Sequence, residues 1–102
     1  MVSRIAGRTF CDARTHSGDD MLRMDLKYRK RTGEIYVMRH ASTHRWMYFP
    51  QMEAHQALLL KTYDSETDGR ARFMGHNAFE DPATPADAPK RESIEVRTMA
   101  FF

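Results

Sequence analysis

The stretch "MLRMDLKYRKRTGEIYVMRHA", residues 21–41, decides the fold class. Its first half alternates: Leu22, Met24, Leu26 and Tyr28 fall on one side of an extended chain, with Arg23, Asp25 and Lys27 on the other. The polar, glycine-bearing cluster "RKRTGE" at 29–34 interrupts the run. "EIYVMRHA" then resumes it with β-branched and aromatic residues. Two strands separated by such a turn predict an antiparallel hairpin.

Working outward, the same signature recurs. "RIAGRTFCDA" at 4–13 reads as a strand interrupted at Gly7, and "HRWMYF" at 44–49 as an aromatic strand stopped by Pro50. "ALLLKTYD" at 57–64, "ARFMGHNAF" at 71–79 and "SIEVRTMAFF" at 93–102 complete the set. The punctuation between them, "THSGDD" at 15–20 and "SETDGR" at 65–70, is turn chemistry. "DPATPADAPKR" at 81–91 holds three of the four prolines and no large apolar residue, so it predicts an ordered surface loop and not a central strand. One short helical turn is expected at "PQMEAHQA", 50–57, with Pro50 in its first position. There is no internal repeat. Short strands at this spacing predict one mainly β domain over 1–102, a sandwich or barrel with at most one short helix.

Composition narrows the class. With 41% apolar and 29% charged residues the 102-residue chain reads as globular with a lean core, and its mean hydropathy is −0.68. A net charge of +2 and a longest basic run of "YRKR" at 28–31 argue against nucleic acid as a partner. The single cysteine, Cys11, excludes an internal disulfide and fits a reducing compartment. No apolar run approaches the ~20 residues that span a bilayer, and "MVSRIAGRTF" lacks the apolar centre of a signal peptide. A soluble cytoplasmic protein is the expectation.

The chemistry-bearing residues are sparse. Five histidines occur without HExxH, paired cysteines or a His-x-Asp or His-x-Glu step, so spacing alone presents no metal site. Cys11 beside Asp12 reads as a small buried residue, because the neighbouring acid opposes thiolate formation. Trp46, Tyr48 and Phe49 read as core, and the eight methionines as gap-filling core. Near the end of the chain, Arg91, Ser93, Glu95 and Arg97 alternate with Ile94, Val96 and Thr98. An arginine with a serine two residues on suits a carboxylate, since the guanidinium pairs bidentately and the hydroxyl adds a donor. Pattern alone favours the plainer reading, a solvated strand face with Arg–Glu pairs.

Five blocks in one order carry a resemblance: "CDAR" at 11–14, "GEIYV" at 33–37, "HRWMYFPQM" at 44–52, "KTYDS" at 61–65 and "HNAFEDPATPADAPKRESIEVR" at 76–97. Together they resemble the C-terminal part of the CmcJ/NvfI-type hydroxylase/desaturase family, which includes gibberellin desaturase-like proteins. The resemblance runs from about Cys11 to the C-terminus. It implies a partial double-stranded β-helix, or jelly roll, and Fe(II)/2-oxoglutarate oxygenase chemistry on a small secondary metabolite. It further implies that His76 is the distal iron ligand, that Arg91 with Ser93 is the Arg-x-Ser clamp on 2-oxoglutarate, and that Trp46, Tyr48 and Arg97 are pocket walls.

One element of that family is missing from these residues. Its members carry a His-x-Asp step on an earlier strand, and this chain has none. Asp12, Asp19 and His44 are the candidate replacements, although their spacing does not support them. The expectation is therefore a protein incomplete on its own: a truncated product, a remnant, or a piece completed by an N-terminal chain or a second copy through open strand edges. The alternative is a non-catalytic small β domain that binds a carboxylate ligand or a protein partner. A third reading, a nucleic-acid binder using "KYRKR", would require steep salt dependence.

Overall fold

In the computed structural model, which describes residues 5–102, the hairpin forms as the alternation dictates. The described residues form five strands: β1 (Ile5–Cys11), β2 (Met21–Lys27), β3 (Thr32–Met38), β4 (Trp46–Tyr48) and β5 (His76–Glu80). Arg4, the first residue of the predicted opening strand, lies outside the described residues.

β2 and β3 pair antiparallel from Met21↔Met38 to Lys27↔Thr32. Directly opposed residues share a face, so Leu22, Met24 and Leu26 lie with Val37, Ile35 and Gly33. The turn is Tyr28–Arg31, closed by Tyr28 N–H donating to the Arg31 carbonyl at 2.8 Å. Gly33 therefore sits inside β3 and not in the turn where the sequence placed it. A side chain there would press on the Tyr28 ring, which already carries the Arg31 guanidinium 4.3 Å from its centre.

The second sheet has the order β4-β1-β5, with both outer strands antiparallel to β1. Two short 3-10 turns, Ala13–Thr15 and Gly18–Asp20, carry the chain from β1 into the hairpin. The sheets meet where Gly75 lies between Cys11 and the Met38 thioether, a place with no room for a Cβ. Gly75 also accepts the Cys11 N–H at 2.8 Å, extending the β1–β5 ladder by one bond.

The mainly β, antiparallel expectation holds, and two small antiparallel sheets are consistent with part of a jelly roll. The strands expected within 4–13 and 44–49 form as β1 and β4, and that within 71–79 forms from His76 onward as β5, while other element expectations need correction. The helical turn at 50–57 does not form: Gln51 has φ of 53°, and a tight turn closes from Gln56 N–H to the Glu53 carbonyl. The runs at 57–64, 71–75 and 93–102 form no strand, because a strand exists only where a ladder partner satisfies its backbone. The proline-rich loop is as expected, with turns closed by Thr84 N–H to Asp81 and Ala88 N–H to Pro85.

The buried core is thin. Among the described residues only Phe10 and Cys11 are buried apolar side chains, while Trp46, Met47, Tyr48 and Phe49 are exposed. The reading of those aromatics as core is thus corrected, and Met24, Met52 and Met99 are exposed too; Met38 fills the joint beside Gly75, Met21 and Met74 are half-buried, and Met1 lies outside the described residues. Among the described residues, no helix is long and apolar enough to cross a membrane.

Candidate functional site

His76 opens β5, opposite Phe10 of β1. The register puts His76, Phe10, Arg8 and Ala78 on one face of the sheet, together with Met47 from β4. His76 is exposed, and its Nδ1 lies 3.3 Å from the Met74 carbonyl oxygen. A carbonyl only accepts, so the contact is a hydrogen bond when Nδ1 carries a proton, and in the neutral ring of that tautomer Nε2 is the nitrogen left to bind a metal. Metal-binding histidines are held in the same way.

The C-terminal stretch reaches the same face of β1 through Arg8. Arg8 Nη2 donates to Glu95 Oε2 at 3.3 Å, and Arg97 Nε donates to Glu95 Oε1 at 3.1 Å. These two arginines, Arg97 foremost, hold the Glu95 carboxyl below the usual glutamate range. Arg91 and Ser93 are exposed and outside any regular element. The structure thus joins His76 and Glu95 to neighbouring positions of β1, but it forms no closed clamp at Arg91.

Trp46 and Tyr48 fall elsewhere. Opposed to Cys11 and Thr9, they occupy the face of the sheet away from His76, where Tyr48 meets Phe79 edge-on with ring centres 4.8 Å apart. Beyond β4, Phe49, Pro50, Met52, Gln56, Ala57 and Leu58 line an open depression of about 390 Å³ that includes none of the sequence-predicted site residues.

Asp12, Asp19 and His44 do not gather around His76 as replacement ligands. Asp12 is buried and grips Arg14: Oδ1 accepts from Arg14 N–H and Nε at 3.0 Å each, and Oδ2 accepts from Nη2 at 2.7 Å. Those bonds lower its pKa from 3.8 to about 2. His44, with its side chain almost wholly buried, sits with Nε2 3.1 Å from Asp20 Oδ2. Asp20 also accepts the Ser17 N–H, which chiefly depresses its pKa, with His44 adding to the effect. Asp19 is exposed in the Gly18–Asp20 turn. Among the described residues, no three His, Cys, Asp or Glu side chains are placed to hold a metal ion.

Sequence reading missed two groups. Arg8 carries no local signal, since its partner lies 87 residues away. The Asp20–His44 pair was partly visible in the Ser17-x-x-Asp20 spacing, which is that of a cap at a helical turn. His16 stands beside this pair, its ring centre 6.4 Å from that of His44, with both ring nitrogens buried and unpartnered.

Comparison with known proteins gives a consistent picture. The family described as oxidoreductase/YMDC permease-like domain matches residues 9–101. A Fe(II)/2-oxoglutarate-dependent dioxygenase, nvfI, of Aspergillus novofumigatus is 36% identical over 92 residues, covering 88% of this chain and 33% of the relative. Aspirochlorine biosynthesis protein N of Aspergillus oryzae is 37% identical over 74% of this chain and 33% of its own length. The hydroxylase/desaturase asaB of Aspergillus flavus is 48% identical over 57% of this chain and 26% of its own. The chain spans a third or less of the length of these relatives.

Proposed function

We propose, from the premise that this chain belongs to the oxidoreductase/YMDC permease-like domain family, that it is part of an Fe(II)/2-oxoglutarate-dependent hydroxylase/desaturase of secondary metabolism. In this reading His76 is an iron ligand through Nε2, and Arg91 with Ser93 binds the far carboxylate of 2-oxoglutarate. The observation that carries it is the orientation of His76: its Nδ1 is turned to the Met74 carbonyl in a chain 36% identical to a protein named for that chemistry.

The described residues do not complete an iron site. His76 is one ligand, while Asp12 and His44 are engaged with Arg14 and Asp20. No catalytic step is therefore assigned to this chain. Its own residues bind and orient: Arg91 offers a planar pair of donors to a carboxylate, and Ser93 adds a hydroxyl. Trp46 and Tyr48, on the opposite face of the sheet, and Arg97, paired with Glu95, have no arrangement here that supports a wall beside His76.

Two measurements test this reading separately. Calorimetry with 2-oxoglutarate should give binding that Arg91→Ala weakens at least tenfold, about the 1.4 kcal/mol that separates decades of affinity. Unchanged affinity in that variant would remove the clamp. Substoichiometric Mn(II) should broaden the ring signals of His76 before those of the other four histidines; indifference of His76 would remove the ligand. Carboxylate binding that persists without any response to metal would favour the non-catalytic β domain.

A further inference from the structure

Arg8 is the middle residue of β1, on the face that carries His76, and its side chain meets a partner 87 residues along the chain. In the β1–β5 ladder it stands opposite Ala78, two residues, or about 7 Å, from the Phe10↔His76 pair. Its Nη2 donates to Glu95 Oε2 at 3.3 Å, and the two side chains are 30% and 52% exposed.

Among the described residues, this is the one hydrogen bond or ion pair that joins 91–102 to the rest of the molecule. It meets the segment two residues after Ser93 and four after Arg91. The contact between Arg97 and Glu95 puts these i and i+2 side chains on one side of the chain, the side that Arg91 and Ser93 share by alternation. A single tether thus connects the ladder that holds His76 to the side of the segment that holds the arginine and the serine.

Glu95 needs a reason to be there, because a carboxylate beside a site for a carboxylate repels its ligand. Arg97 answers that charge from within the segment, and Arg97 and Arg8 together keep Glu95 ionised. What Arg97 cannot supply is a link to another element, since it lies on the same stretch of chain. Arg8 supplies that link.

We propose that Arg8 is a positioning residue of the cosubstrate site: through Glu95 it holds Arg91 and Ser93 over the face of β1 and β5 that carries His76. The role rests on the reading of Arg91 and Ser93 as the clamp for the far carboxylate of 2-oxoglutarate. Arg8 does not touch that carboxylate. It reduces the freedom that the segment must lose when the ligand binds.

Calorimetry of the 102-residue chain with 2-oxoglutarate reads the effect. An exposed ion pair is worth little, so Arg8→Ala should weaken binding only about threefold to fivefold, and less at high salt. Arg8→Lys, which keeps the charge, should stay within about twofold of the parent. Glu95→Ala separates positioning from plain electrostatics. It leaves the segment more positive, yet it should weaken binding by the same factor as Arg8→Ala. Amide relaxation reads the tether with no ligand present. Both alanine variants should raise nanosecond motion at residues 92–97, while the amides of the β2–β3 hairpin keep their shifts. Binding by the parent chain that neither alanine variant changes would overturn the role of Arg8 and leave the clamp standing, as would tighter binding in Glu95→Ala. A segment as mobile in the parent as in the variants would overturn it too. Absence of binding by the parent chain would remove the Arg91 clamp itself, and the positioning role with it.

Discussion

Asp12 shows how one carboxylate organises the end of a strand. It follows the last residue of β1, caps the Ala13–Thr15 turn by accepting the Arg14 N–H, and holds the Arg14 guanidinium through both oxygens. Its pKa falls from 3.8 to about 2, chiefly through the side-chain bonds from Arg14. A carboxyl depressed on folding adds stability above its unfolded pKa and loses it as pH falls through the folded one. Asp12→Asn should therefore lower the melting temperature at neutral pH, and the gap to the parent chain should close between about pH 4 and pH 2. Asp20, Asp64, Asp68 and Glu95 are depressed in the same sense, so only the difference between the two chains isolates Asp12. A gap independent of pH would mean that Arg14 contributes nothing through Asp12. Part of this was legible in the sequence: Cys11 is the small buried residue its context suggested, with an acid at its side. The Arg14 grip was not, because nothing in "CDAR" distinguishes an arginine that folds back from one that faces solvent.

At the scale of elements, legibility followed locality. The β2–β3 hairpin could be read because both strands and the turn lie within 21–38. The β4-β1-β5 sheet could not, because β1 and β5 are joined across some 65 residues and no local pattern encodes that register. The runs at 57–64 and 93–102 mark the same limit: alternation states a preference, and a partner decides whether a strand exists. The joint between the sheets makes a test. Gly75 faces the Met38 thioether so closely that Gly75→Ala must displace it, at a cost of about 1–3 kcal/mol for overpacking. Because the obstacle is the end of a flexible side chain, Met38→Ala should relieve it. In that background Gly75→Ala should cost under about 0.5 kcal/mol, a coupling readable by a double-mutant cycle. Additive costs would show that the sheets do not meet at this pair.

At the scale of the whole molecule, the exposed area and the radius of gyration agree. The Cα radius of gyration is 15.9 Å, against about 13 Å for a compact domain of this length. An extended chain of this mass exposes about 17,000 Å², so the 9490 Å² left on folding corresponds to roughly 45% buried, where about 65% is usual at this size. The slope of unfolding free energy against urea follows the area exposed on unfolding. For this chain, measured at low concentration, the slope should be about two thirds of that of a compact protein of equal length. A slope of full size at low concentration would mean that the isolated chain closes its own surface. The open segment at 93–102, and with it Arg91 and Ser93, would then be packed against the rest of the molecule.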